Sequence, residues 1–194
     1  MALSKGKKLL ILGAVLVVVD QVIKVLVKTN MSVGEHFNVI GNWFQILFIE
    51  NDGMAFGMKF GGALGKYLLT FFRICLFTAL FWWVSKLLKK GDAVPMGVPV
   101  GLTLIAAGAL GNIIDCLFYG LIFEPHMPFM QGRVVDMLYF PLIDTTWPEW
   151  LPWIGGKPFT FFDPVFNFAD SCVTVGAFYL ILFQWKFFSA EEKK

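Results

Sequence analysis

Charged residues are scarce in this chain of 194 residues. Asp, Glu, Lys and Arg make up 15% of the sequence, whereas soluble domains carry about 25%. Hydrophobic residues make up 57%, so the composition indicates a membrane protein. The net charge of +2 is too small to favour a nucleic-acid partner, because such partners select strongly basic surfaces.

Side chains for metal, disulfide and nucleophilic chemistry are also few. The cysteines Cys75, Cys116 and Cys172 lie in or at the ends of apolar runs, which predicts neither a disulfide framework nor paired metal-ligand spacing. The histidines His36 and His126 lack HExxH spacing, so we predict no metal and no cofactor. No serine stands in a G-x-S-x-G setting, and no histidine lies within a few residues of a cysteine.

Apolar runs predict four membrane spans, in a single membrane-embedded domain over residues 1–194, at about residues 9–27, 67–84, 95–117 and 167–188. A helix needs about 20 residues to cross a hydrocarbon core of roughly 30 Å. The first run has a basic start, as a secretory signal peptide does. Asp20 and Lys24 interrupt it and no A-x-A site follows, so we expect it to be retained.

Lysines are concentrated in three segments: Lys5, Lys7 and Lys8, then Lys86, Lys89 and Lys90, then Lys186, Lys193 and Lys194. Two predicted spans separate each segment from the next, so all three lie on the same side of the membrane. The positive-inside rule therefore predicts that both termini and the 85–94 loop are cytoplasmic. Loops 29–65 and 118–166 then lie outside. The aromatic belts would be Trp82, Trp83 and Trp185 at the inner interface and Trp147, Trp150 and Trp153 at the outer one.

The two outer loops differ in composition. Residues 29–65 alternate β-favouring runs with turn residues, which predicts a short sheet. Residues 118–166 are rich in proline and aromatic residues, and we expect the Trp147–Trp153 segment to lie in the membrane interface. A loop as long as the second one is typical of a functional element.

Ionisable residues within apolar spans are candidates for function. Asp20 and Lys24 are four residues apart, so they share a helix face and can pair. Asn112 and Asp115 share a face near the outer end of the third span. For both pairs, a purely structural role in helix packing remains an alternative.

Two further polar features also have a structural interpretation. Taken alone, the run from Asn51 through Asp52 to Gly53 favours a turn. Arg73, in the second span, either extends its charge to the interface or counters a carboxylate in a site.

Asp136 and Asp170 are the candidate reactive groups. Asp170 follows Asn167 by three residues, so capping of the last span is an alternative role for it. However, polar residues from every span and both loops are predicted at one membrane level, and these are Asp20, Lys24, Asn51, Asn112, Asp115, Asp136, Asn167 and Asp170. Two close carboxyl groups share a proton, so one acts as base toward water while the other polarises a carbonyl.

The chain resembles lipoprotein signal peptidase (signal peptidase II), an aspartic protease family of bacterial inner membranes. Five ordered motifs carry the resemblance across residues 9–188. They are D-x-x-x-K at Asp20 and Lys24, N-x-G-x-A-F at Asn51, Gly53, Ala55 and Phe56, G-N-x-x-D at Gly111, Asn112 and Asp115, V-V-D ending at Asp136, and F-N-x-A-D at Phe166, Asn167, Ala169 and Asp170.

This resemblance implies an all-α membrane protein with four transmembrane helices, a small extracytoplasmic β-cradle and an interfacial helix. It implies cleavage of prolipoproteins before a diacylglyceryl-modified cysteine, with Asp136 and Asp170 as the catalytic pair and the remaining motif residues, together with Arg133, in supporting roles. The expected partners are the prolipoprotein, membrane lipids and globomycin-type inhibitors, and the expected state is a monomer in the inner membrane with its site near the outer face.

The chain also departs from the family pattern. Cys116 stands where an arginine commonly follows the G-N-x-x-D aspartate, and Arg73 or Arg133 could supply that charge instead. The loops 119–133 and 137–165 are longer than in the shortest members, for which we expect a larger outer lid.

Two other functions compete with proteolysis. A proton- or ion-coupled transporter also buries Asp and Lys, but it needs a path to both sides and often contains internal repeats. The inner half of each span is apolar and no repeat is evident. A non-catalytic assembly factor would tolerate the loss of either Asp136 or Asp170.

Overall fold

The computed structural model describes residues 3–52 and 62–191. Its helices are α1 (Lys5–Asn30), α2 (Gly62–Lys89), α3 (Gly97–Ile114), α4 (Gly120–Phe123), α5 (Phe168–Phe183) and α6 (Trp185–Glu191). Its strands are β1 (His36–Ile40), β2 (Phe44–Asn51), β3 (Val134–Tyr139), β4 (Ile143–Thr146), β5 (Pro158–Phe161) and β6 (Val165–Phe166).

Three helical segments are long and apolar enough to cross a membrane, and they are Lys5–Asn30, Gly62–Lys89 and the continuous run Gly97–Phe123. They confirm the first three predicted spans by length and composition. The predicted fourth span is divided, because α5 has 16 residues and ends at Phe183, and Gln184 separates it from α6. At 1.5 Å per residue α5 is about 24 Å long, so a count of four spans stays a prediction.

Helix α3 is the centre of the bundle, with α1, α2 and α5 packed around it. Glycines bring α5 close to α3. A Cβ atom at Gly108 would lie 2.2 Å from the carbonyl oxygen of Ala169, and one at Gly176 would lie 2.8 Å from that of Gly101. Small residues at such contacts let helix backbones approach closely. The N-terminus of α5 is therefore held against the second half of α3.

A π-helical turn, Asp115–Tyr119, connects α3 to α4. The loop that precedes β3 packs on this turn, because the Gly132 N–H donates to the carbonyl oxygen of Cys116 at 3.0 Å. A Cβ atom at Gly132 would lie 2.1 Å from the carbonyl oxygen of Asp115. Single π-turns are frequent at functional sites, and this one places the start of β3 against the end of α3.

A four-stranded antiparallel sheet in the order β1-β2-β3-β6 covers one end of the bundle. The sheet predicted within residues 29–65 is present as β1 and β2, and the second loop adds β3 and β6. Val135 and Met137 of β3 are fully buried and pack in a cluster with Phe48 and Tyr119. This cluster joins the sheet to the helices.

The segment from Trp147 to Trp153 is not the interfacial helix that the resemblance implies. It forms consecutive turns that close the β4–β5 hairpin, with the Trp147 N–H donating to the carbonyl oxygen of Lys157 at 2.9 Å. Two prolines in this segment lack the N–H that a helix needs, and the backbone is left-handed at Trp153 (φ 65°) and Gly156 (φ 73°). The side chains of Trp150 and Trp153 are consequently 79% and 91% exposed.

Candidate active site

Asp136 lies in β3 and is 3% exposed. Its Oδ1 accepts a hydrogen bond from the Asn167 Nδ2 at 2.7 Å, and its Oδ2 accepts one from the Asn51 Nδ2 at 3.1 Å. Asn51 is the last residue of β2, and the turn that its sequence favours continues to Gly53, which lies outside the described residues. Antiparallel pairing of Asn51 with Val134 puts Asn51 diagonally across from Asp136 on one face of the sheet.

Asp170 lies in the first turn of α5 and has the capping role that its sequence position suggests. It forms a capping box with Asn167: the Asp170 N–H donates to Asn167 Oδ1 at 2.9 Å, and the Asn167 N–H donates to Asp170 Oδ2 at 3.2 Å. Its other carboxylate oxygen accepts a hydrogen bond from Asn112 Nδ2 at 2.8 Å. Capping therefore directs Asp170 toward the polar cluster.

Asn167 brings the two aspartates to the same place. Its buried Nδ2 donates to Asp136 Oδ1 and also to Asn112 Oδ1, the latter at 3.1 Å. Asn112 in turn donates to Asp170. The four side chains thus form one hydrogen-bonded group that contains both carboxylates, contributed by α3, β3 and α5.

Lys24 is the positive charge beneath this group and is 0% exposed. Its ammonium lies 2.9 Å from Asp20 Oδ2, 2.7 Å from Asp115 Oδ2 and 2.8 Å from Asn112 Oδ1. An ammonium has three donors, and all three have an acceptor here. The predicted pairing of Asp20 with Lys24 is confirmed, and Asp115 completes a buried charged triad. Such a triad is tolerable only when every charge is partnered.

The triad also holds the backbone beside each candidate catalytic residue. Asp20 Oδ1 accepts a hydrogen bond from the Ala169 N–H at 2.9 Å, and Asp115 Oδ2 accepts one from the Val135 N–H at 3.4 Å. Ala169 immediately precedes Asp170, and Val135 immediately precedes Asp136. The intramembrane charges consequently fix the ends of two elements, α5 and β3, relative to one another.

Gln21 is a site residue that sequence reasoning missed. Its Nε2 lies 2.9 Å from Asp115 Oδ1 and 3.1 Å from Asp20 Oδ2, and its Oε1 accepts a hydrogen bond from the Tyr119 hydroxyl at 3.1 Å. A signal was present in the sequence, since Gln21 is a second polar residue beside Asp20 in an apolar run. Close approach of α1 to α3 needs Gly111, where a Cβ atom would lie 2.5 Å from Asp20 Oδ2.

A second charged cluster surrounds Glu50, which precedes Asn51. Arg133 donates to Glu50 Oε2 at 2.8 Å, and Lys28 pairs with the other carboxylate oxygen. Burial alone would raise the pKa of Glu50, but the hydrogen bonds from Lys28 and Arg133 outweigh it and hold that pKa below its ordinary value. Arg133 therefore pairs with Glu50 and supports the strand that presents Asn51.

The departure at Cys116 has a structural counterpart. The guanidinium of Arg73 lies 3.4 Å from the buried thiol of Cys116. Of the two arginines that could supply the charge, Arg73 is thus the one beside Cys116. Gly53, Ala55 and Phe56 lie outside the residues that the structure describes.

The electrostatics of Asp136 favour its protonated form. Burial, followed by the negative charge of Asp170, raises the pKa of Asp136 to about 7, against opposing hydrogen bonds from Asn51 and Asn167. Near neutral pH this carboxyl group therefore readily holds a proton beside a second carboxylate. One neutral and one ionised carboxyl group are the chemical requirements for water activation by an aspartate pair.

The apolar bundle and the linked carboxylates at one end of it define a membrane-embedded helical enzyme. A family model described as Signal peptidase (SPase) II matches residues 12–186. The chain belongs to this family, whose members are proteases.

Relatives and solved structures agree with the assignment. The chain is 44% identical over 194 residues to a lipoprotein signal peptidase of Porphyromonas gingivalis, covering 93% of this chain and 84% of the relative. It is 38% identical over 173 residues to one of Amoebophilus asiaticus, covering 86% and 72%. A bacterial membrane enzyme solved by the in meso method at 2.3 Å resolution superposes with a TM-score of 0.63 at 26% identity, covering 97% of this chain and 93% of that one.

Proposed function

We propose that this chain removes signal peptides from diacylglyceryl-modified prolipoproteins, cleaving N-terminal to the lipidated cysteine, with Asp136 and Asp170 as the catalytic pair. The names of its relatives support the substrate class. The observation that carries the catalytic assignment is the contact of Asn167 with both carboxylates. Those two groups come from β3 and α5, and Asn167 contacts Asp136 through its side-chain amide and Asp170 through its backbone N–H.

In the proposed mechanism Asp170 is the base and Asp136 is the acid. A water between them loses a proton to Asp170 as its oxygen attacks the scissile carbonyl, whose oxygen accepts a hydrogen bond from protonated Asp136. The tetrahedral intermediate then collapses, and the leaving amine takes a proton from the pair. Asn112 and Asn167 donate to the carboxylates throughout, which keeps both oriented. The apparent pKa values of activity would belong to the pair.

The location of the pair suits a lipid-anchored substrate. On the predicted orientation, both carboxyl groups lie at the outer end of the bundle, so acyl chains can remain in the bilayer while the scissile bond meets water. Membrane lipids are accordingly partners of the enzyme in the inner membrane. A cyclic peptide of the globomycin type would occupy the same position, and nothing in the catalytic arrangement requires a second copy of the chain.

Cleavage of a diacylglyceryl prolipoprotein peptide, followed by gel shift, tests this proposal. Asp136→Asn and Asp170→Asn should each abolish product formation, and globomycin should block the wild type. Asp92→Asn is the matched control, because Asp92 is an exposed aspartate outside the candidate site that pairs with Lys5. Full cleavage by both active-site variants, each verified as folded, would refute the assignment.

We also propose that the β4–β5 hairpin is the larger outer lid expected from the loop lengths. The exposed Trp150 and Trp153 at its tip support this role, because such residues favour the membrane interface. Replacing the turns of residues 147–156 by a two-residue turn should weaken inhibitor binding and turnover. Unchanged values of both would remove the lid from the proposal.

A further inference from the structure

A groove lies between α1 and α2, away from the carboxylate pair. Both helices pack on α3 and leave a space of about 500 Å³ between them. Its walls include Leu10 and Val18 of α1 and Phe81 of α2, and small residues such as Ala106 and Ala107 of α3 contribute to the floor. The volume lies within the range of roughly 300–1,000 Å³ that is typical of small-molecule sites.

The groove presents hydrocarbon to its occupant. Its two hydroxyl-bearing residues are Ser85 and Thr103. Each hydroxyl already donates to its own helix, Ser85 to the carbonyl oxygen of Phe81 at 2.8 Å and Thr103 to that of Pro99 at 2.7 Å. The part of a ligand that lies in the groove is therefore apolar, because a polar group there would lose its hydration without gaining a free donor.

The length of the groove matches one leaflet. Along α1 its lining runs from Gly6 to Val18, which at 1.5 Å per residue is about 18 Å. Half of the hydrocarbon core is roughly 15 Å thick. A single acyl chain therefore fits along the groove from the headgroup level to the bilayer midplane.

One end of the groove is strongly basic. The first turns of α1 contribute Lys5, Lys7 and Lys8, the last turns of α2 contribute Lys86 and Lys89, and Lys90 follows directly. The acid among them is Asp92, which pairs with Lys5. Lys7 lies three residues before the groove residue Leu10, and Lys89 lies four residues after Ser85, so both share a helix face with the groove lining. This arrangement complements an anionic headgroup.

We propose that this groove binds one acyl chain of an anionic membrane phospholipid, whose phosphate is held by Lys7 and Lys89. Charge favours this occupant over a signal peptide, because the same lysines would repel the positively charged start of a signal peptide. The proposal is independent of the proposed cleavage reaction, since the groove lining on α1 ends before Asp20. Bound lipid would fill the space between two helices that otherwise meet through α3.

Lipid titration of the purified full-length chain by native mass spectrometry tests the headgroup. Phosphatidylglycerol and phosphatidylcholine with identical acyl chains are the two probes. A lysine near an anionic headgroup contributes about fivefold in affinity, so two of them predict roughly 25-fold tighter binding of phosphatidylglycerol. The double variant Lys7→Gln/Lys89→Gln should lose most of this preference, and Lys157→Gln, in the β4–β5 turn, should keep it.

A second pair of variants tests the groove itself. Ala14→Phe places an aromatic ring in the groove and should reduce phosphatidylglycerol binding at least tenfold. Val15→Phe is the control, because Val15 is the next residue of α1, is 53% exposed and does not line the groove. Ala14→Leu provides a milder filling variant that should give an intermediate loss.

Three results would overturn the proposal. The first is equal affinity of the wild type for the two lipids, and the second is an equal loss of binding in Ala14→Phe and Val15→Phe. The third is displacement of bound phosphatidylglycerol by an unlipidated basic signal peptide in the wild type but not in Ala14→Phe, which would assign the groove to a peptide. Cleavage activity enters none of these measurements, so failure here leaves the proposed function untouched.

Discussion

Replacing Asp136 by asparagine should make the stability of the chain less dependent on pH. Burial, and after it the charge of Asp170, raises the pKa of Asp136 from its ordinary value of 3.8 to about 7. The folded chain therefore keeps this proton up to about pH 7, whereas the unfolded chain releases it near pH 4. The associated stability is fully present below about pH 4 and is lost as pH rises to about 7.

The magnitude follows from the two pKa values. At about 1.4 kcal/mol per pH unit, the difference between 3.8 and about 7 corresponds to a loss of about 4 kcal/mol. Asparagine cannot ionise, so the Asp136→Asn variant escapes this loss. It has a constant cost of roughly 1–3 kcal/mol instead, because its amide NH₂ faces a donor, either Asn51 or Asn167. The stability difference between variant and wild type should thus change by about 4 kcal/mol in favour of the variant from pH 4 to pH 8.

Unfolding in mixed detergent micelles, titrated with SDS and followed by tryptophan fluorescence at pH 4 through 8, measures this difference. Asp144→Asn is the control, since the exposed Asp144 should leave the pH dependence of the wild type unchanged. A difference that varies by less than about 1 kcal/mol across this range would refute the reasoning. Asp136 would then not be the group that holds the shared proton.

The remaining predictions concern rate and packing. Because the acid form of Asp136 is required, kcat/KM for a lipidated peptide should fall about tenfold per pH unit above pH 7. Lys24→Met should cost roughly 3–5 kcal/mol of stability by leaving two buried carboxylates unpaired, whereas Lys5→Met, at an exposed pair, should leave thermal unfolding unchanged. Gly108→Ala should cost roughly 1–3 kcal/mol through its 2.2 Å approach to an α5 carbonyl, while Gly6→Ala, with 3.7 Å to its nearest neighbour, should be tolerated in the same unfolding assay.

Hydropathy predicted the three long helices because a bilayer imposes one length on any apolar helix. The same reasoning was less successful for the last span, where Gln184 separates α5 from α6. The strand nature of β3 was not visible in the sequence. Val134 through Met137 are all buried, so the alternation of apolar and polar residues that marks a half-buried strand is missing.

Within the site, contacts between residues that a local rule relates were predicted, whereas individual contacts between residues far apart in the sequence were not. Spacing by four identified the Asp20–Lys24 pair, because helix geometry alone determines it. The third acceptor of the ammonium, Asn112, lies 88 residues away along the chain, and no local rule relates the two. Gln21 offered a local signal beside Asp20, but its partners Asp115 and Tyr119 lie 94 and 98 residues away along the chain. The interfacial helix that the resemblance implies for the outer loops is not found at Trp147–Trp153, where two prolines lack the N–H that a helix needs.

The buried triad positions the carboxylate pair through hydrogen bonds to the backbone beside each aspartate. Lys24 neutralises one of the two charges of Asp20 and Asp115, and those carboxylates also accept hydrogen bonds from Gln21 and from the backbone N–H groups of Ala169 and Val135. Hydrogen bonds from the backbone of α5 and β3 help to stabilise the net negative charge that remains. An apolar replacement of the triad could preserve helix packing, yet it would leave those two N–H groups unsatisfied. The ion triad is therefore better explained by the positioning of α5 and β3 than by stability of the bundle.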